Sequence, residues 1–117
     1  YRVLRYMEQP TPRPKNCEAH HPMPSVWMDA QYSNYNLYTA WTILMPLVPD
    51  HLATQAVQKS WMAATYGYRN FPWRQISYAE MKSVANRMLD ATNTPADKRQ
   101  EYWRKFEMYH LALVSRR

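Results

Sequence analysis

Apolar side chains in the second half of the chain recur every three to four residues, the period at which one face of an α-helix meets a core. Between residues 78 and 91 this stripe consists of Tyr78, Met81, Ala85, Met88 and Leu89. Ser77 comes just before the stripe, and Glu80 comes three residues after Ser77, which is the spacing of a capping box. The pattern therefore predicts a helix from about Tyr78 to Ala91.

The same period predicts a first helix within residues 26–45, mainly from Asn34 onward. The residues that share its apolar face are Leu37, Tyr38, Trp41, Leu44 and Met45. Pro46 and Pro49 would end this helix, because proline blocks the helical hydrogen bonds. Asp50 is a suitable N-cap for a second helix that reaches about Tyr66.

A fourth helix is predicted after Thr94, which can cap it, with Pro95 in the first helical position. Its last residues, Arg116 and Arg117, place positive charge at the negative end of the helix dipole. No strand pattern competes with these helices. The predicted fold class is therefore all-α with about four helices.

A corner rich in aromatic rings joins the second and third helices. Gly67, the chain's single glycine, can adopt the positive φ that ends a helix, and Pro72 prevents a helix from continuing. We therefore predict a helix–elbow–helix arrangement centred on residues 66–77.

The first 24 residues form a separate segment in this interpretation. Five of the chain's nine prolines lie there, among several basic residues. Proline keeps the backbone extended, and such a segment buries too little surface to fold alone. We predict an extended arm over residues 1–24, ordered by a partner if at all, and a single small helical domain over residues 25–117.

The apolar residues are mostly of the kinds that enrich protein interfaces. Ten Tyr, five Trp and eight Met occur in 117 residues, and aromatic rings and Met are common at interfaces. The six residues predicted to bind a partner, the two arginines by pairing with its acidic groups, are Trp61, Arg69, Phe71, Trp73, Arg74 and Trp103.

The net charge of +6 and the pI of about 9.6 favour an anionic partner: RNA, a lipid surface or an acidic protein. Arg69 and Arg74 lie among four rings that could stack on unpaired bases, although mixed charges elsewhere make RNA the less favoured partner. A single cysteine, Cys17, excludes an internal disulfide. The longest apolar run, residues 37–48, is shorter than the roughly 20 residues that span a bilayer.

Candidate chemistry is sparse at this level. Cys17, His20 and His21 provide at most half of a zinc site, and His51 and His110 stand alone in the sequence. No spacing supports a nucleophile with its base, and no glycine-rich phosphate loop exists. The sequence therefore predicts a protein that is not an enzyme, with no metal, no cofactor and no catalytic residues.

Residues 49–80 resemble the small helical matrix-side subunit of ubiquinol–cytochrome c reductase, respiratory complex III (subunit 7 or ubiquinone-binding protein family). The resemblance rests on two turns that start helices, Val48-Pro49-Asp50 with Leu52, and the stretch from Phe71 through Pro72 to Ser77 and Glu80. It implies a non-catalytic helical subunit on the matrix face of the mitochondrial inner membrane, bound to other subunits of the complex.

The functional hypothesis that follows is an accessory subunit of a respiratory-chain complex. It would be peripheral to the inner membrane, with possible lipid contact, and would stabilise assembly through aromatic anchors. Two alternatives remain open: a mitochondrial ribosomal protein that contacts RNA, and a soluble helical adaptor.

Overall fold

The computed structural model describes residues 1–115, which form a three-stranded antiparallel sheet and four α-helices. The sheet has the strand order β1-β3-β2, with both outer strands antiparallel to β3. The elements are β1 Arg2–Arg5, β2 Cys17–His20, α1 Ser25–Gln31, β3 Trp41–Pro46, α2 Leu52–Thr65, α3 Tyr78–Asp90 and α4 Ala96–Ser115. The fold is therefore mixed α/β, and the all-α prediction was wrong.

The error lies in the segment read as the first helix. Its second half is β3, the central strand, in which Thr42, Ile43, Leu44 and Met45 are all buried. A strand covered on both faces shows a continuous apolar run instead of an alternating one, and such a run resembles a buried helix. The helix in this region, α1, comes earlier and ends at Gln31.

The predicted arm contains the two outer strands of the sheet. β1 pairs Val3 with Ile43, and β2 pairs Ala19 with Leu44. The strands in this segment pair with β3 of the same chain. Whether residues 1–24 and 25–117 behave as separate units stays a prediction.

The helices predicted from caps and turns lie close to their expected positions. Gly67 ends α2 with a φ of +78°, and its N–H donates to the carbonyl of Met62 at 2.8 Å. Ser77 Oγ accepts from the N–H of Glu80 at 3.1 Å at the start of α3. Arg116 and Arg117, predicted to complement the dipole of α4, lie outside the described residues.

One continuous apolar core holds the helices against the sheet. Trp27 of α1 is 1 % exposed, and its indole Nε1 donates to the carbonyl of Ile76 at 2.8 Å. This bond ties α1 to the segment that enters α3. Within residues 1–115, no helix combines the length and apolar character needed to cross a membrane.

The arrangement β2–β3–α2 positions the site described next. Asn16, just before β2, accepts from the N–H of Val48 at 3.2 Å and donates to its carbonyl at 3.0 Å. Val48 lies in the Leu47–His51 segment that joins β3 to α2. The Leu47–His51 segment that leads into α2 is therefore held against β2.

Candidate functional site

A cleft of about 470 Å³ opens where the end of β2, the start of α1 and one face of α2 meet. Three of the chain's four histidines lie on its wall. The polar residues that line it include His20, His21, His51, Thr54, Gln55 and Lys59.

His20, the last residue of β2, is 5 % exposed. Burial, followed by the nearby His51 and His21, lowers the pKa of its imidazole to about 3. The ring is therefore neutral at physiological pH, with a lone pair on one nitrogen. Its Nε2 is buried and has no hydrogen-bond partner within the described residues, although buried polar atoms are rarely left unpaired.

His51 faces His20 from the residue before α2. The two ring centres are 5.5 Å apart and the ring planes are inclined at 74°. Burial lowers the pKa of His51 against the opposing effect of Glu18, and Nδ1 of His51 is buried without a partner in residues 1–115. Two neighbouring imidazoles in their neutral form thus each have one buried nitrogen without a partner in residues 1–115.

His21 lies beside this pair but in a different environment. Its Nε2 is 3.4 Å from the carbonyl oxygen of Leu37, and its ring centre is 5.0 Å from that of Tyr6. Burial lowers the pKa of His21, so the neutral form dominates at physiological pH. A neutral ring that donates Nε2–H to a carbonyl leaves its Nδ1 as an acceptor.

The exposed face of α2 adds polar groups to the same wall. Gln55 and Lys59 follow His51 at intervals of four residues, which places all three on one helical face. Thr54, fully buried, donates its hydroxyl to the carbonyl of His51 at 2.6 Å and fixes the first turn. With Gln58, which also lines the cleft, the wall therefore combines three imidazoles, two amides and an ammonium group.

Cys17, His20 and His21 looked at most like half of a zinc site in the sequence, and none of the three was predicted to bind a metal. In the structure Cys17 begins β2 and pairs with Pro46, whereas His20 ends the strand and pairs with Ile43. The group that forms instead includes His51, which is about thirty residues away in sequence. An adjacent His pair was the available signal, but the sequence alone did not identify its partner.

The residues predicted to bind a partner lie elsewhere. Trp61, Phe71 and Trp73 form one ring cluster, with Phe71 5.0 Å from Trp61 and 4.6 Å from Trp73. Trp61 and Phe71 are buried, Trp73 is half-buried, and Arg69 and Arg74 are exposed. None of the five lines the cleft.

Trp103 is on α4, half-buried against α3. Its Nε1 donates to Oδ1 of Asn86 at 3.0 Å, and the ammonium of Lys82 lies 4.9 Å from its ring centre. Whether any of the six residues binds a partner stays a prediction.

A family model described as HNH/Endo VII superfamily toxin with a SHH signature, Tox-SHH, matches residues 14–111. The match covers most of the chain, including β2, β3, α2 and the whole cleft. The chain's single adjacent His pair is His20–His21, preceded by Ala19 where the signature's letters give serine. The comparison with solved structures gave no match.

This finding corrects the functional hypotheses drawn from the sequence. The resemblance to a complex III subunit was wrong, because the matched family covers residues 49–80 as part of a toxin domain. The respiratory-chain accessory role, the ribosomal and adaptor alternatives, the predicted partners and the mitochondrial location were wrong for the same reason.

The prediction that the protein is not an enzyme was also wrong, because toxin domains of this superfamily are nucleases. The two turns that carried the resemblance are real features here, at the starts of α2 and α3, but similar turns start helices in many folds. The family match and the histidine cleft fall on the same elements. The chain therefore belongs to the Tox-SHH family of HNH/Endo VII superfamily toxins.

Proposed function

We propose that this chain is a nuclease that hydrolyses phosphodiester bonds in nucleic acid, with the cleft between β2 and α2 as its active site. The observation that carries the proposal is the convergence of His20, His21 and His51 on one cleft in a chain of a toxin-nuclease family. Phosphodiester hydrolysis needs a base for the attacking water and positive charge near the phosphate.

His21 is the general base of this proposal. The contact between its Nε2 and the Leu37 carbonyl fixes the ring orientation and favours the tautomer that keeps the proton on Nε2. Nδ1 is then free to take the proton of a water molecule that attacks the phosphorus. The lowered pKa keeps this nitrogen unprotonated at neutral pH.

A divalent metal is a common aid to nucleases, and the His20–His51 pair fits one. Both rings are neutral and each has a buried nitrogen without a partner in residues 1–115. Imidazole suits zinc, nickel or iron better than magnesium. Within residues 1–115, no group of three His, Cys, Asp or Glu side chains could hold a metal ion, so this chain would supply two ligands and the others would have to come from water or phosphate. A bound metal would polarise a phosphoryl oxygen.

Lys59 and the net charge of +6 favour nucleic acid as the substrate. Lys59 lines the cleft two helical turns beyond His51, and a lysine ammonium acts as a point charge toward a phosphate. The amide of Gln55, between them on the same face, can donate to a second phosphate oxygen.

The direct test incubates the purified chain with plasmid DNA, a single-stranded DNA oligonucleotide and RNA, with zinc, nickel or magnesium. Cleavage that leaves defined phosphate and hydroxyl ends supports the proposal. No cleavage of any of these substrates with any of the metals would overturn it.

Lys59→Ala should raise KM about tenfold and lower the salt dependence of KM by about one unit of log–log slope, because one phosphate contact is lost. Lys98→Ala on α4 is the matched control, since it removes the same charge away from the cleft. An equal effect of both substitutions would assign the attraction to net charge and contradict a phosphate contact at Lys59.

The metal assignment predicts one zinc ion per chain, measured by isothermal titration calorimetry without substrate. Loss of a residue that only supports a ligand lowers metal affinity roughly 10–100-fold. Loss of a ligand itself should cost more, so His20→Ala and His51→Ala should each weaken zinc binding about 100-fold or more. Cys17→Ser, at the other end of β2, should bind zinc normally. Binding that depends on Cys17, or on neither histidine, would contradict the assignment.

A further inference from the structure

A row of aromatic rings leads from the cleft to the surface. The ring of His21 contacts that of Tyr6 at 5.0 Å, and the ring of Tyr6 contacts that of Tyr38 at 5.8 Å. Tyr38 is 57 % exposed, so its ring contributes little to the core. The exposed ring of Tyr38 is therefore connected to His21, the proposed general base, through the ring of Tyr6.

The backbone holds this row in place. The N–H of Tyr6 donates to the carbonyl of Ala40 at 2.8 Å, and the N–H of Tyr38 donates to Oδ1 of Asn36 at 2.9 Å. Leu37, between Asn36 and Tyr38, supplies the carbonyl that contacts His21. The turn that orients the base thus also presents Tyr38, and binding a ligand there needs no rearrangement of the backbone.

Arg13 adds positive charge to the row. Its guanidinium carbon lies 5.2 Å from the ring centre of Tyr6, and its Nη1 donates to the carbonyl of Pro10 at 2.7 Å. Its Nε is 3.5 Å from Oε1 of Glu18. The guanidinium is therefore fixed beside the rings, with Glu18 offsetting part of its charge.

We propose that Tyr38 and Tyr6 form a binding site for an unpaired nucleobase next to the scissile phosphate, so that the enzyme takes its substrate as a single strand. The inference rests on the proposed nuclease function and names its substrate class. Aromatic rings stack on any base because every base has a π-face. In a duplex both faces of each base are covered by its neighbours, so Tyr38 can engage a base only where the strand is unpaired.

The test measures binding apart from cleavage, in a chain that carries His21→Ala to suppress turnover. Fluorescence anisotropy gives the Kd for a labelled single-stranded DNA, a single-stranded RNA of the same sequence, and the DNA duplex. Tyr38→Ala should weaken binding of a single strand about tenfold and leave duplex binding within about twofold. Tyr38→Phe, which keeps the ring, should bind like the parent. A loss confined to DNA or to RNA supports the site and identifies the sugar that it accepts.

Tyr68→Ala is the matched control, because Tyr68 is 59 % exposed but lies in the loop between α2 and α3, away from the rings of His21 and Tyr6. An equal loss on single strand and duplex, no loss with Tyr38→Ala, or a loss with Tyr68→Ala instead would overturn the proposal. The two proposals fail separately: a chain that cleaves nucleic acid but ignores Tyr38→Ala refutes only the base site. Tyr38-dependent binding of a single strand without any cleavage refutes only the nuclease.

Discussion

Replacing His21 with alanine should lower kcat/KM for phosphodiester cleavage about 10³-fold, within the range of roughly 10²–10⁴ that a general base contributes. The substitution removes the proton acceptor but leaves the His20–His51 pair and Lys59 in the cleft. Initial rates on a fluorophore-quencher oligonucleotide measure the loss. The thermal midpoint should change little, because the side chain of His21 is only half-buried and makes one long polar contact.

Rescue by a small molecule separates a base from a structural residue. Imidazole in the buffer should restore part of the activity of His21→Ala, because the freed space next to the Leu37 carbonyl can admit it. His110→Gln is the matched histidine control: His110 stacks on Tyr78 at 4.5 Å, outside the cleft, and its replacement should keep kcat/KM within about twofold if the chain folds. Full activity in His21→Ala would contradict its role as the base.

Local signals in the sequence predicted the approximate positions of α2, α3 and α4. The N-cap expected for α2 was wrong, because the carboxylate of Asp50 accepts from Tyr1 and Asn93 and does not cap the helix. Gly67 adopts the expected positive φ, and the bond from Glu80 to Ser77 closes the predicted cap. Such signals act within four residues, so they depend little on the rest of the fold. They placed the helices without indicating what the helices pack against.

The sheet depended on contacts that are distant in sequence. β3 pairs with β1 and β2, which both come from the segment whose prolines indicated an extended arm. The apolar run of β3 itself fits a helix as well as a strand. Only the pairing of Val3 and Ala19 with this run shows that it is a strand and not a helix. Residues 2–5 and 17–20 of that segment are strands that pair with β3 of the same chain.

The candidate site was missed for a related reason. His20 and His21 are adjacent in the sequence, yet a metal or catalytic group needs a further member, and His51 stands alone about thirty residues away. His51 joins them because the Leu47–His51 segment packs against β2, and the neutral state of His20 follows from burial that only the fold creates. The chemistry here is therefore a property of the tertiary structure.

Replacing Asp50 with alanine should lower the free energy of unfolding by about 3 kcal/mol, because it removes a buried charged acceptor and leaves its donors unpaired. Asp50 is 1 % exposed and accepts from the N–H and the Nδ2 of Asn93, each at 3.2 Å, and from the hydroxyl of Tyr1. These bonds join the start of α2 to the turn between α3 and α4. Urea unfolding followed by tryptophan fluorescence measures the loss.

The matched control is Asp90→Ala, which breaks an exposed ion pair with Arg99 and should cost no more than about 1 kcal/mol. A second readout reports the bond itself. Burial and then Asp50 raise the pKa of Tyr1 to about 12, so in Asp50→Ala the pKa of that hydroxyl should fall toward its ordinary value in an ultraviolet titration. Because His51 follows Asp50, the variant should also lose zinc affinity at temperatures where it remains folded. Equal stability of the Asp50→Ala and Asp90→Ala chains would show that the buried carboxylate does not anchor α2.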